Sequence, residues 1–176
     1  MGFEYQPILH GPLIDLRPLR NSDYDALFAV ASDPLIWEQH PDKTRSQPEG
    51  FRRFFRDAID SGGALLATRA GTSEVIGSSR YHGYSPTANE VEIGWTFLGR
   101  QFWGGTYNRE MKRLMVEHAF RFVERIVFLI GPQNYRSQGA ILKIGAVRAG
   151  SRVDGLGAES YAFHLTPAAW AEAVRG

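Results

Sequence analysis

The chain has 176 residues, about one domain's worth and enough to bury roughly two-thirds of its unfolded surface around one core. With 20 Lys and Arg against 19 Asp and Glu its net charge is +1, which excludes the dense basic field of a nucleic-acid binder, and with no cysteine it has no disulfide, thiolate metal site or cysteine nucleophile. The N-terminal stretch MGFEYQPILHGPLIDLRPLR lacks a basic segment followed by an apolar one, and no run approaches the about eighteen apolar residues of a membrane span, so the expectation is a single cytoplasmic domain over 1–176 with no membrane partner.

Pro7 and Pro12 predict an irregular tail over 1–12, and the alternation of LIDLRPL predicts a first strand. NSDYDALFAVASDP reads as a short helix with Asn21 or Ser22 as N-cap and a stop at Asp33-Pro34. After a proline-broken loop, helical spacing of Phe51, Phe54, Phe55, Ala58 and Ile59 predicts a second helix over 48–59, with Arg52, Arg53 and Arg56 on its solvated face. The period then changes: ALLATR, EVIGSSRYHGY and NEVEIGWTFL read as three antiparallel strands. Strict alternation in the last of them puts Val91, Ile93, Trp95 and Phe97 on one face and Glu90, Glu92, Gly94 and Thr96 on the other.

From Thr106 the apolar set Tyr107, Met111, Leu114, Met115, Ala119, Phe122 and Val123 follows helical spacing. His118 falls in that stripe and reads as a hydrogen-bonded core residue. IVFLIG is a continuous apolar run, as in a strand buried on both faces. Asn134 caps a short helix that Gly145 ends, and AVRAGSR, a turn at Asp154-Gly155 and ESYAFHL form a terminal hairpin before a small helix over 167–174. With only one helix between strands that could be parallel neighbours, the order predicts an α+β fold, a mixed and mostly antiparallel sheet flanked by helices, rather than a doubly wound sheet.

The stretch QFWGGTYN joins a strand to the longest helix through a pair of glycines. Glycine favours neither element, so the pair marks either a tight turn or a loop whose bared N–H groups, at the positive end of a helix, receive an anion such as phosphate. The residues that would make it a nucleoside triphosphatase loop, Gly-Lys-Ser/Thr, do not come after it, nor does G-x-G-x-x-G spacing occur.

In the order EIGW, WGGTYNREMK, HAF and NYRSQGAILKIGA, the region Glu92 to Gly145 resembles the GNAT superfamily of acetyl-CoA-dependent N-acetyltransferases, in the branch that acetylates ribosomal-protein N-termini, and the resemblance extends from about Leu13 to Trp170. QFWGGT looks like that family's Q/R-x-x-G-x-G/A pyrophosphate loop, with Gln101, Gly104 and Thr106 at the defining places and Thr106 departing from the usual small residue. No metal is expected, since His40, His82 and His164 have no Glu or His at metal-ligand spacing. The resemblance implies acetyl-CoA as co-substrate and a cofactor-binding set of Trp95, Phe97 and Leu98 through their backbone, Gln101, Phe102, Trp103, Gly104, Gly105, Thr106, Tyr107 and Asn108 in the loop, and Asn134 and Ser137 beyond it. Asn134 also has its simpler role as the helix N-cap.

Acetyl transfer to an amine needs the amine uncharged. An α-amino group of pKa about 7.7 to 8 costs roughly half a kcal/mol to deprotonate near neutrality, a lysine of pKa about 10.4 roughly 4. Glu92 and Glu90 face the same way beside the implied site, and either could accept the amine's proton directly or through water; Glu92 is otherwise a substrate contact or a structural hydrogen-bonding group, and Glu90 a substrate contact. Many family members carry a tyrosine seven residues after the asparagine to protonate the thiolate; here that place holds Ile141, and Ser137 looks like the serine some of this branch set beside the sulfur. Trp37, in LIWEQHP, comes after the first helix where the family lines its acceptor pocket. The acceptor is expected to be a small-molecule or peptide amine. The competing expectation is an acyl-CoA-binding sensor or scaffold without transfer, and a homodimer through the C-terminal hairpin rests on analogy of fold alone.

Overall fold

The computed structural model describes residues 2–153 and 157–175. In chain order the strands are β1 (Leu9–His10), β2 (Ile14–Pro18), β3 (Ala64–Arg69), β4 (Val75–Ser85), β5 (Glu90–Leu98), β6 (Arg125–Ile130), β7 (Val147–Val153) and β8 (Glu159–Leu165), and the helices are α1 (Tyr24–Ala31), α2 (Pro48–Asp60), α3 (Thr106–Ala119), α4 (Tyr135–Leu142) and α5 (Pro167–Ala173). The strands form one sheet in the order β1-β2-β3-β4-β5-β6-β8-β7. Every neighbouring pair is antiparallel except β5 with β6, which α3 joins as a crossover. This is the expected α+β fold with a mixed, mostly antiparallel sheet.

Two apolar layers cover the sheet. On one face α3 lays Met111, Leu114, Met115, Val116 and Ala119 onto Leu65, Ile76, Tyr81, Val91 and Ile93, with Ile141, Ile144 and Trp170 closing the far end. On the other face Leu27 and Ala31 of α1 and Phe51, Phe54, Phe55 and Ala58 of α2 meet Leu66 and Phe97. The α2 arginines Arg52, Arg53 and Arg56 are exposed, as helical spacing predicts. His118 is buried and its Nε2 lies 2.9 Å from the Glu4 carbonyl, the core role read from its place in the stripe.

Three expectations are corrected. The tail is not irregular throughout: Leu9 and His10 pair with Leu16 and Asp15, and Phe3 is buried among the rings of Tyr5, Tyr81, Tyr84, His118 and Phe122. Neither Asn21 nor Ser22 caps α1. A 3-10 turn over Asn21–Asp23 precedes the helix, and the Asp23 carboxylate accepts from the Arg20 N–H at 2.8 Å while Arg17 grips it at 2.7 and 2.9 Å. The Asp154-Gly155 turn lies outside the described residues, although β7 and β8 on either side of it pair as a hairpin does.

The third correction bears on the site. β5 does not keep strict alternation. Ser78 of β4 is opposite Phe97 and Arg80 is opposite Gly94, so Ser79 alone faces both Trp95 and Thr96, and Trp95 takes φ +53°. An extra residue in one strand of a pair bends it and reverses the facing of the residues beyond it. Val91, Ile93 and Leu98 therefore belong to the α3 layer, whereas Trp95 and Phe97 pack on the α1/α2 layer, and Thr96 turns toward α3, where its hydroxyl takes a hydrogen bond from Lys112 at 2.9 Å. The predicted single face of Val91, Ile93, Trp95 and Phe97 does not exist.

Candidate active site

The glycine pair is explained by its backbone. Gly104 has φ +99° and Gly105 φ +122°, a region closed to most side chains, and a Cβ on either would meet nothing within 4 Å. The turn is open rather than plugged. The first hydrogen bond of α3 is donated by Arg109 to Gly105 at 3.0 Å, no side chain caps the helix, and among the described residues the N–H groups of Gly104, Gly105, Thr106, Tyr107 and Asn108 meet no acceptor. Five bare amides at the start of a fourteen-residue helix, with its dipole behind them, form an anion cradle. Its floor is fixed from below: Phe102 is buried against Tyr107 at 4.9 Å, and the Trp103 indole donates to the Leu98 carbonyl at 3.0 Å. Gln101 and Thr106 are exposed at its rim.

Beside the cradle the sheet opens. β5 and β6 pair only at Glu90 with Arg125, Val91 with Ile126 and Glu92 with Val127; beyond that β5 runs to Leu98 and β6 to Ile130 without a ladder between them. Parallel strands that separate leave main-chain donors and acceptors on both inner edges, and the Trp95, Phe97 and Leu98 backbone lies along this edge of β5.

Glu92 is the last paired residue of β5 in this fork. No side chain or backbone group hydrogen-bonds its carboxylate among the described residues, and burial raises its pKa from 4.5 to about 7 against the opposing charges of Arg152 and Arg80. Glu90, although close by in sequence, is in a different state: Arg125 reaches it at 2.8 Å and Arg152 at 3.3 Å, and these bonds outweigh its burial and hold its carboxyl below the ordinary range. Glu90 thus clamps β5 to β6 and β7 where a substrate contact was expected. On the α3 side of the fork the buried Lys112 lies 5.4 Å from the Phe128 ring centroid, and burial lowers its pKa to about 8.

Trp37 is also corrected. It is 3% exposed, gives its indole N–H to the Ala31 carbonyl at 2.8 Å, and is covered by Phe97, Phe54, His40 and the Arg45 guanidinium. It supports the wall behind the bulge, with almost no surface of its own exposed. Asn134 does cap α4, accepting from the Ser137 N–H at 3.2 Å, while the half-buried Ser137 hydroxyl meets no partner among the described residues. Ile141 is buried in the core, so no side chain at that place reaches the fork.

Sequence reasoning missed three side chains. Lys112 lies in a row with Asn108, Val116 and Ala119 at helical spacing, which was the available signal that it points inward. Arg136 stacks 4.0 Å from the Trp103 ring centroid, donates to the Ile36 carbonyl at 3.2 Å and through its N–H to Gln39 at 3.0 Å, tying the cradle and α4 to the turn that carries Trp37. Arg80, in the middle of β4, carried no signal: it points to the α1/α2 face at 5% exposure.

An open turn of bare amides at the start of a helix, next to a forked parallel strand pair with a carboxylate at its apex, is an arrangement suited to an extended phosphorylated molecule. The described residues hold no group of three or more His, Cys, Asp or Glu placed to bind a metal, and no helix among them is long and apolar enough to cross a membrane. The family model described as "Acetyltransferase (GNAT) domain" matches residues 14–147, and the chain belongs to this family. Among solved structures, one described as a "putative acetyltransferase" is 26% identical over 98% of this chain and 92% of its own, with a TM-score of 0.77. A GCN5-related N-acetyltransferase from Brucella melitensis shares 17% identity over 99% and 85% of the two chains with a TM-score of 0.84. RimJ of Mycobacterium smegmatis, solved with CoA-disulfide, shares 17% over 97% and 93% with a TM-score of 0.69, a likeness of fold. The protein is an N-acetyltransferase that uses acetyl-CoA.

Proposed function

We propose that the enzyme transfers acetyl to a primary amine, of a peptide N-terminus or a small molecule, by direct attack within a ternary complex, with Glu92 as the proton acceptor. The observation that carries this reading is the unpaired, half-buried Glu92 carboxyl at the point where β5 and β6 part, its pKa raised by burial to about 7. A base poised near the pH of the cell accepts a proton and releases it again with little driving force lost.

The residues fit the carrier. The bare amides of Gly104 to Asn108 and the open space over Gly104 and Gly105 suit the diphosphate, and the free edge of β5 at Trp95, Phe97 and Leu98 suits a pantetheine arm. When bound, acetyl-CoA supplies a thioester carbonyl open to attack and a thiolate leaving group. Glu92 takes the proton from the ammonium, directly or through one water, so that the nitrogen lone pair becomes available. As the C–N bond forms and the C–S bond breaks, the Ser137 hydroxyl, unspent at the first turn of α4, donates a hydrogen bond to the departing sulfur, and the proton that the nitrogen sheds on becoming an amide goes to the thiolate, directly or through water. Asn134 holds that turn in place and contributes its remaining amide capacity to the pantetheine.

Titration with acetyl-CoA tests the reading: at one hundred times its dissociation constant it stabilises folding by about 2.7 kcal/mol, and incubation with an amine panel then releases free thiol. A protein that binds acetyl-CoA but releases no thiol with any amine is the non-catalytic sensor instead, and no stabilisation at saturating dose overturns both.

A further inference from the structure

The half-buried arginines among the described residues have carboxylate partners. Arg17 makes a two-pronged bridge to Asp23, and Arg45 sits 3.5 Å from the Asp42 carboxylate. Arg80 differs. It is 5% exposed, it is in no ion pair among the described residues, and its Nε and Nη2 are buried without a hydrogen-bond partner. Its guanidinium face is covered by Trp95, at 4.4 Å, the residue that the bulge turned onto this side. Stacking of that kind spends the face of the group and leaves its N–H edge without a partner. A buried charge left without a partner costs several kcal/mol and calls for an explanation.

The register supplies one. Arg80 is opposite Gly94, and Glu92 is the next residue of β5 on that face, so a cation and a carboxyl flank a position without a side chain. A Cβ at Gly94 would meet only the Glu92 Oε1, at 3.3 Å, within 4 Å, so the space over the glycine is otherwise open. The charges of Arg45, of Asp57 on the exposed side of α2 and, more weakly, of Glu92 all act on Arg80, and neither carboxylate forms an ion pair with it. Two opposite groups, unpaired, across an open glycine match a molecule that carries an amine and an anion of its own.

We propose that Arg80 is the anion-binding residue of the acceptor site, and that the preferred acceptor is an amine bearing a carboxylate a short distance from its nitrogen. The planar fork of the guanidinium receives a carboxylate through two N–H groups, and the Trp95 and Phe54 rings, 4.4 and 5.8 Å from its carbon, hold its plane. In this arrangement the amine end is directed to Glu92 and the carboxylate end to Arg80, so the acceptor is oriented before transfer. The proposal rests on the acetyl-transfer reading above and narrows its substrate class.

The test uses matched peptides whose α-amines are alike: alanyl-alanine against its C-terminal amide, and Ser-Glu-Ala amide against Ser-Gln-Ala amide, which separate a terminal from a side-chain carboxylate. For the wild type, kcat/KM favours the acid of at least one pair by roughly tenfold or more, the ratio expected of a charge-assisted hydrogen bond, and the Kd of that acid for the enzyme loaded with coenzyme A is lower than that of its amide by a similar ratio. In Arg80→Gln both preferences vanish while affinity for acetyl-CoA is retained. Equal use of acid and amide by the wild type, or a preference that survives Arg80→Gln, overturns the proposal even though transfer proceeds. Should Arg80→Gln not fold, the wild-type comparison decides alone. Failure of acetyl-CoA to bind overturns the transfer reading and this one together.

Discussion

Replacement of Glu92 by glutamine separates what this side chain costs the fold from what it gives the reaction. The carboxyl is half-buried at the fork, takes no hydrogen bond and has its pKa raised from 4.5 to about 7 by burial. An acid whose pKa is higher in the folded state binds its proton more tightly there, so the stability this contributes is complete below pH 4.5 and lost as the pH rises through 7. At about 1.4 kcal/mol per unit the loss amounts to roughly 3 kcal/mol at its upper bound. Glutamine has the shape of the protonated acid and does not titrate. Glu92→Gln is therefore expected to match the wild type in stability near pH 4 and to exceed it by about 1 to 3 kcal/mol at pH 8, where the wild-type carboxylate is charged. Over the same range, kcat/KM of the wild type rises to a plateau with an apparent pKa near 7, and the variant loses that limb and about two to four orders of magnitude of rate. Urea denaturation at five or six pH values and a pH–rate profile on one amine measure both. Parallel stability curves for the two proteins would refute the burial argument, and an unchanged rate profile would refute the assignment of Glu92 as proton acceptor.

Gly105→Ala forces a side chain onto φ +122° and sets a methyl over the bare amides, so coenzyme A affinity measured by calorimetry should fall at least tenfold with a stability loss of about 1 to 3 kcal/mol. Asn134→Ala removes a cap and should cost about 1 kcal/mol by thermal melting, whereas Asn134→Asp keeps the cap; a coenzyme A affinity that falls in both isolates the pantetheine role from the capping one. Lys112 has its pKa lowered from 10.5 to about 8 by burial, so it destabilises the fold below pH 8 and ceases to do so as the pH rises toward 10.5; Lys112→Met should remove that rise in stability with pH and be the more stable protein at pH 7. A wild type whose stability is flat between pH 8 and 10 would contradict it.

The elements were legible wherever a period of two or of 3.6 holds without interruption, as in α2, α3 and the apolar run of β6. The cradle was legible because glycine at 104 and 105 has no reason to stand between a strand and a helix except its backbone freedom. What was not legible depends on a single step. Nothing in EIGWTF marks Trp95 as the residue in which β5 changes face, because a bulge is set by how two strands meet and not by either alone. That one shift removed Phe97 from the predicted face, stacked Trp95 over Arg80 and freed Thr96 for Lys112. Trp37 misled for a related reason: an aromatic in a loop is as easily packed under a layer as presented at a cleft, and the choice is made by Phe97, itself displaced by the bulge. Glu90 and Glu92, alike in sequence, were told apart only by the arginines that β6 and β7 bring to the first.

Because β5 and β6 share only three register pairs, the sheet is two antiparallel halves, β1 to β5 and β6 with β8 and β7, joined along a short seam. The rivet is Glu90, held from the second half by both Arg125 and Arg152. The aperture proposed for acetyl transfer is thus sized by where a row of stitches ends. Loosening that rivet would widen it, and adding one stitch would narrow it, so the enzyme's selectivity can be tuned from residues that never meet a substrate.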